Sequence, residues 1–319
     1  MNAAVVESFN TPPRYRSFVD PVPGDGEVLV KVTAAGLHPI VRALAAGTHY
    51  GSTGELPFIP GVDGVGRLDD GTRVFFGSAR SPFGTFAELA VARRELAIPL
   101  PDSIDDTVAA ATSNPGMSSW VALKARAKFV SGESVLILGA TGSAGKLAIQ
   151  IAKRLGARHI VAVGRNVDVD ALKQLGADSV ISLGQDHDAL VAALRREWTD
   201  TGVDVVLDYL WGQPAEAVME AIARKGLQQS APRVRYIQIG GSAGATITLP
   251  AATLRSSGLE ILGSGFGSAS MTEIRKALSE FFAESARQPF REEIRTAPLS
   301  QVESLWTASG DRARLVFQP

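Results

Sequence analysis

Residues 136–146 read Leu136-Ile137-Leu138-Gly139-Ala140-Thr141-Gly142-Ser143-Ala144-Gly145-Lys146. A short apolar strand over 134–138 runs into a turn of small residues. A helical segment follows, with Leu147, Ala148, Ile151, Ala152 and Leu155 on one face. Ala140-x-Gly142-x-x-Gly145 is a variant of the dinucleotide fingerprint in its required strand–turn–helix setting. A pyrophosphate sits well at a helix N-terminus, where free backbone N–H groups and the helix dipole favour negative charge. Gly142 lets the backbone approach the phosphates, and Gly145 lets the helix pack on the strand. The turn residues Ala140, Thr141, Gly142, Ser143, Ala144 and Gly145 are the candidate phosphate cradle. The bland alternative is a tight strand–helix turn without a ligand.

The flanking rhythm favours the nucleotide site. Strands are expected at 159–163, 179–181, 204–207 and 235–239, alternating with helices at 168–175, 189–198 and 215–224. Short apolar strands alternating with helices predict an α/β class with a doubly wound parallel sheet covered on both faces. The first ~100 residues read differently. Apolar runs at 3–6, 27–34, 65–68, 73–76 and 86–92 are separated by turns such as Pro21-Val22-Pro23-Gly24-Asp25-Gly26. They predict a barrel or folded sheet, with a surface loop over 45–60. The tail adds a strand at 259–262, a helix at 272–285 and a strand at 314–317. Boundaries are expected near residues 115 and 260, giving segments 1–115, 116–260 and 261–319.

Composition narrows the function classes. The 319 residues suit about two domains. With 45% apolar and 20% charged residues the chain reads as a soluble globular protein, and a net charge of −1 disfavours nucleic acid or an anionic membrane as partner. Cysteine is absent, which excludes disulfides, thiol nucleophiles and every cysteine-ligated zinc site. No secretory signal and no apolar run of ~18 residues is visible, so a cytoplasmic protein is expected.

The second strand decides between cofactors. A carboxylate is usual at its end when the ribose 2′-hydroxyl is bound. Here that position reads Gly164-Arg165-Asn166, with no carboxylate before Asp168. Arginine suits a 2′-phosphate through bidentate, charge-assisted hydrogen bonds, so NADP(H) is the expected cofactor. The alternative is that Arg165 is a solvated loop residue.

Read together, these motifs carry a resemblance: Gly26-Glu27-Val28-Leu29-Val30-Lys31-Val32, Ala34-Ala35-Gly36-Leu37-His38-Pro39, Pro60-Gly61-Val62-Asp63-Gly64-Val65-Gly66, Gly84-Thr85-Phe86-Ala87-Glu88, the glycine-rich turn, Leu175-Gly176-Ala177-Asp178 and Gly202-Val203-Asp204-Val205-Val206-Leu207-Asp208. In this order the chain resembles the medium-chain dehydrogenase/reductase superfamily, in its zinc-free quinone oxidoreductase (zeta-crystallin-like) branch. The resemblance implies a GroES-like β domain, completed by the tail, with a Rossmann domain inserted and an active site in the cleft. It implies hydride transfer from NADPH to a quinone or an enone, and a homodimer through the Rossmann sheet edge near 258–265.

The chain departs from its zinc-dependent relatives. They place a cysteine where His38 stands and a His-Glu pair at Val62-Asp63. The quinone branch commonly has asparagine in place of His38. Two residues are the catalytic candidates. His38 could donate to the acceptor oxygen or merely tether two loops. Tyr50 resembles a substrate-site tyrosine and could donate one hydrogen bond or stack on a flat ring, or simply cover the barrel. For the cofactor, Ser118 stands where the family usually contacts the nicotinamide, with a helix N-cap as its alternative. Ile239, Gly240, Gly241, Phe266 and Gly267 are expected to form the far wall, where glycine permits close approach. Tyr209 follows a strand's C-terminal end, where ligands bind in such sheets. Three functions remain open: a quinone reductase, an alkenal or enoyl reductase, and a crystallin-like NADPH-binding protein without significant turnover.

Overall fold

The computed structural model describes residues 1–77, 80–224, 231–265, 267–308 and 313–319. The chain divides into two units, Met1–Asn114 with Ser279–Pro319, and Pro115–Leu278.

The first unit is mostly antiparallel sheet. β1 (Asn2–Val5) pairs with β2 (Arg14–Ser17). β3 (Glu27–Gly36) is the longest strand. Alternate side chains of a strand face opposite ways. Val28, Val30 and Val32 accordingly share one core with Val74, Phe76, Ala90 and Ala92. Ala35 joins a second core with Phe86, Trp306 and Phe317. α1 (Pro39–Ala45) follows, then β4 (Asp63–Arg67), β5 (Arg73–Gly77), β6 (Leu89–Arg93) and β7 (Ile98–Pro99). β3 pairs with β4 and β6, and β4 with β5.

α2 (Asp106–Val121) carries the chain from one unit to the other and runs straight through Asn114-Pro115-Gly116. Proline removes one helical hydrogen bond. The carbonyl of Pro115 is instead well used, accepting from Ser118 Oγ at 2.8 Å and Ser119 Oγ at 3.1 Å.

The second unit is a layered α/β structure. Its strands are β8 (Ser134–Leu138), β9 (His159–Gly164), β10 (Ser179–Ser182), β11 (Val205–Asp208), β12 (Arg233–Gln238) and β13 (Gly258–Gly263). All pairings are parallel, in the order β10-β9-β8-β11-β12-β13. In chain order that is third, second, first, fourth, fifth, sixth, the Rossmann arrangement. Every residue of β8 is buried, as expected for a central strand covered on both faces. The helices of this unit are α3 (Ser143–Arg154), α4 (Val169–Leu175), α5 (His187–Arg196), α6 (Gly212–Ile222) and α7 (Ala251–Ser256). α8 (Met271–Arg287) starts in this unit and ends in the first. The strand order reverses between β8 and β11, and ligands of such sheets bind at that switch point.

The second boundary falls after Leu278 rather than after residue 260. The strand expected at 259–262 as part of the tail lies within β13, all six residues of which pair with β12 and complete the parallel sheet. Only from Ser279 does the chain rejoin the first unit. β14 (Ile294–Pro298), α9 (Val302–Leu305) and β15 (Arg314–Gln318) follow, and β15 pairs with β3.

Candidate functional site

The glycine-rich turn links β8 to α3 beside the switch point. Gly139 takes φ +99°, and both its N–H and that of Ala140 donate to Val163 O, at 2.8 and 2.9 Å. Gly142 is the N-cap of α3 and supplies no side-chain cap. The first turn of the helix therefore presents N–H groups with no capping side chain, the arrangement that suits an anion.

The two glycines named by the fingerprint differ in what the protein requires of them. A Cβ on Gly145 would lie 2.3 Å from Gly139 O and 2.6 Å from Ala140 Cα, so helix–strand packing demands glycine. A Cβ on Gly142 would meet only Gly139 O, at 3.5 Å, and its φ of −78° suits any residue. Nothing in the fold requires glycine at 142; room for an approaching phosphate does. Gly164, at the end of β9, is pressed against the same turn, since its Cβ would lie 2.7 Å from Thr141 Cγ2.

Arg165 and Asn166 follow and are both exposed, Asn166 at φ +49°. The first carboxylate after β9, Asp168, is occupied as the N-cap of α4, accepting from Ala171 N at 3.0 Å. The donor set here is a guanidinium, with no carboxylate aimed at a ribose.

Ser118 lies inside α2, so the N-cap alternative is excluded. Ser119 Oγ donates to Pro115 O and is left to accept from Tyr209 Oη at 2.8 Å. Desolvation pushes the Tyr209 phenol up to about 12, so it is a neutral donor at any physiological pH. The two expected residues Ser118 and Tyr209 are thus brought together. Ile239 and Gly240 follow β12, and their N–H groups donate to Asp208 O at 2.8 and 3.1 Å. A Cβ on Gly240 would lie 2.7 Å from Tyr209 O. Gly241 lines a cavity of about 380 Å³ with Trp211, Gln238, Gly244, Ile261 and Gly263, at the C-terminal ends of β12 and β13. Gly267 is exposed; Phe266 lies outside the described residues.

Sequence reasoning missed Asp208. Its fully buried carboxylate takes N–H donors from Leu210 at 2.7 Å and Trp211 at 2.9 Å through Oδ1, and Tyr236 Oη at 2.7 Å through Oδ2. Burial raises its pKa against these three hydrogen bonds. It locks the β11–α6 turn, where Trp211 is held at φ +56°, next to Gly139. The one available signal was a carboxylate ending the apolar run 205–207.

In the first unit, His38 occupies the N-cap position of α1, ahead of Pro39, and is 1% exposed. Its Nε2 lies 3.4 Å from Oδ1 of Asp63, itself 6% exposed. Asn114 Nδ2 donates to Asp63 Oδ2 at 2.6 Å. Among the described residues neither ring nitrogen of His38 meets a hydrogen-bond partner, which is not the satisfied histidine that tethers loops. Tyr50 is 81% exposed and lies against His49 with ring centroids 4.2 Å apart and planes tilted by 33°, so it does not cover the barrel. A cavity of about 200 Å³, lined by Phe9, Leu44, Ser52, Phe58, Phe83 and neighbours, lies beside the Tyr50 loop.

With this geometry in place, comparisons with known proteins show what the chain is similar to. The sequence model of a family described as zinc-binding dehydrogenase matches residues 144–284. The whole chain aligns, at 28% identity and over 100% of both proteins, with the probable NADPH-dependent quinone reductase tdiC of Emericella nidulans. Over residues 144–284 the chain is thus similar to the zinc-binding dehydrogenases, and over its whole length to a quinone reductase. A quinone oxidoreductase from Thermus thermophilus, solved also in complex with NADPH, is similar at 25% identity and a TM-score of 0.81 over 100% of both chains. At 34% identity, 68% of this chain matches 10% of a phenolphthiocerol/phthiocerol polyketide synthase of Mycobacterium tuberculosis.

The metal in the matched family's description does not fit these residues. Val62 offers no ligand, the chain has no cysteine, and among the described residues no group of three His, Asp or Glu side chains could hold a metal ion. Catalytic zinc needs about three protein ligands. Among the described residues no helix is long and apolar enough to cross a membrane.

Proposed function

We propose that this chain is a medium-chain reductase that uses NADPH to reduce a quinone. The observation that carries the cofactor is the pairing of an uncapped, glycine-lined helix N-terminus with Arg165 at the end of β9. The residues fit the cofactor in parts: the 140–145 turn and the first N–H groups of α3 for the pyrophosphate, Arg165 with Asn166 for the 2′-phosphate, Gly240 and Gly241 for close approach at the sheet's C-terminal end. When bound, NADPH supplies the hydride. The protein's task is orientation and a hydrogen-bond donor for the charge that develops on the acceptor oxygen.

The names of the tdiC relative and of the Thermus structure support a quinone as acceptor. The phenol of Tyr50 is exposed, one ring face lies against His49, and it could donate one hydrogen bond to an acceptor. An enone presents the same conjugated oxygen, and the assay includes it. The same proposal takes in a homodimer through β13, which among the described residues pairs only with β12. The test is steady-state oxidation of NADPH with a quinone and with an enone, alongside NADPH affinity. Turnover with the quinone is expected; tight binding with no turnover on either acceptor would favour a binding protein.

A further inference from the structure

The cavity beside Trp211 belongs wholly to the second unit. One of its walls is held at a conformational cost. Trp211 takes φ +56° and ψ −160°, a backbone conformation that a bulky L-residue rarely adopts. Asp208 keeps it there: Oδ1 accepts from Leu210 N and Trp211 N, and Oδ2 from Tyr236 Oη. The Tyr236 ring meets the indole edge-on, with centroids 6.3 Å apart and planes at 65°. Gly244 presses on the same turn, since a Cβ there would lie 2.9 Å from Gly212 Cα. Strain of this kind persists only where surrounding contacts over-determine it, and it clusters at ligand sites.

Another wall carries a half-used amide. Gln238 ends β12, in register with Asp208 of β11 and Gly263 of β13. Its Nε2 donates to Gly240 O at 2.9 Å, which fixes the amide with its nitrogen toward that carbonyl. A glutamine amide has two hydrogens and an acceptor oxygen. The bond to Gly240 uses one hydrogen and leaves the other, with Oε1, for a ligand. One donor and one acceptor on a fixed amide match a primary carboxamide, which offers the reverse pair. An indole matches a flat ring. Gly263 completes the wall: a Cβ there would meet nothing within 4 Å, so the fold does not demand glycine.

The strand order says which half of a dinucleotide comes to this cavity. Such a ligand lies across the switch point, with one mononucleotide half on each side. The 2′-phosphate is on the adenosine, and Arg165 follows β9, on one side of β8. The nicotinamide half then falls on the side of β11, β12 and β13, where the cavity lies. We propose that Gln238 reads the nicotinamide carboxamide, with Oε1 accepting from the ligand's N–H and the remaining Nε2–H donating to its oxygen. Trp211 is the stacking wall for the ring, and Asp208 is the positioning residue for that wall. This rests on the NADPH reading above. Holding the carboxamide sets the rotation of the ring about its glycosidic bond, and so the face of C4 that is presented to an acceptor.

The experiment compares ligands that differ in the carboxamide alone. In 3-acetylpyridine adenine dinucleotide phosphate a methyl group replaces the amide nitrogen. Its affinity is measured by titration calorimetry beside those of NADP⁺ and adenosine 2′,5′-bisphosphate. The proteins are the full-length wild type, Gln238→Leu, Trp211→Ala and Gly263→Ala. One neutral hydrogen bond is worth about 3- to 10-fold, so wild type is expected to prefer NADP⁺ to the acetyl analogue by that factor. Gln238→Leu is expected to bind the two equally. Trp211→Ala is expected to weaken both about 5-fold and to keep the preference. Gly263→Ala tests the cavity without touching Gln238, and its methyl group is expected to weaken both as well. The bisphosphate lacks the nicotinamide and is expected to bind all of these proteins alike, which also reports that each is folded. Wild type that does not distinguish NADP⁺ from the analogue, or a preference that survives Gln238→Leu, would overturn the proposal. Undiminished NADP⁺ binding by both Trp211→Ala and Gly263→Ala would overturn it too. Wild type that binds neither NADP⁺ nor the bisphosphate would overturn the NADPH reading itself.

Discussion

Gly142→Ala and Gly145→Ala separate a glycine needed by a ligand from a glycine needed by the fold. A Cβ at 142 meets nothing closer than 3.5 Å, and φ there is −78°. Alanine at a compatible glycine gains about 0.4–1 kcal/mol by restricting the unfolded chain. It loses several tenths of a kcal/mol as a poorer N-cap than glycine. The two offset each other, so Gly142→Ala should stay within about 0.5 kcal/mol of wild type. The new methyl group instead stands where a pyrophosphate must approach. Overpacking costs roughly 1–3 kcal/mol, which is about 5- to 150-fold in NADPH Kd. At 145 the Cβ would fall 2.3 and 2.6 Å from backbone atoms that cannot yield. Gly145→Ala should therefore lose about 3 kcal/mol of stability, the upper end of that range. Fluorescence titration with NADPH and urea unfolding of all three proteins read both quantities. Gly142→Ala binding NADPH as tightly as wild type, at unchanged stability, would refute the assignment of the turn as the phosphate cradle.

Other consequences follow from named groups. Arg165→Ala should weaken NADPH about 10- to 100-fold, the value of hydrogen bonds to a charged group, and leave NADH affinity unchanged; equal losses for both would mean the residue serves the fold. Burial raises the folded pKa of Asp208 above 3.8, so its contribution to stability is fully present below that value and is lost as pH rises through the folded pKa. Against Asp208→Asn, wild-type protein should lose relative stability as urea unfolding is moved upward from about pH 4, and a gap that stays constant with pH would contradict this. Burial raises Tyr209 to about 12 and pushes Tyr236 well above the ordinary phenol value. Two of the four tyrosines should therefore stay protonated at about pH 11 in ultraviolet titration of the folded chain, and ionisation of all four by that pH would contradict it.

Local signals in the sequence were sufficient for the nucleotide-binding core. The strand over 134–138 is β8 residue for residue, and the small-residue turn and amphipathic face fall where α3 begins and packs. Hydrophobic period and glycine placement act over a few residues, so they can be read directly. Information held by distant partners could not be. The apolar run at 259–262 looks like a tail strand because its pairing with 234–237 lies outside any local window. α2 runs through Asn-Pro-Gly at 114–116, although proline and glycine both disfavour a helix interior. Asp208 meets Tyr236 from 28 residues away, and Asp63 meets Asn114 from 51. A carboxylate's partner is a property of the fold. The sequence therefore named His38 without revealing that its ring lies against a buried aspartate.

The most direct measurement is NADPH consumption at 340 nm with a flat ortho-quinone, repeated with NADH. Rapid loss with NADPH and much slower loss with NADH is expected from the glycine-lined helix N-terminus and Arg165. Equal rates with the two nucleotides would contradict the 2′-phosphate role of Arg165. No loss with either would contradict quinone reduction itself.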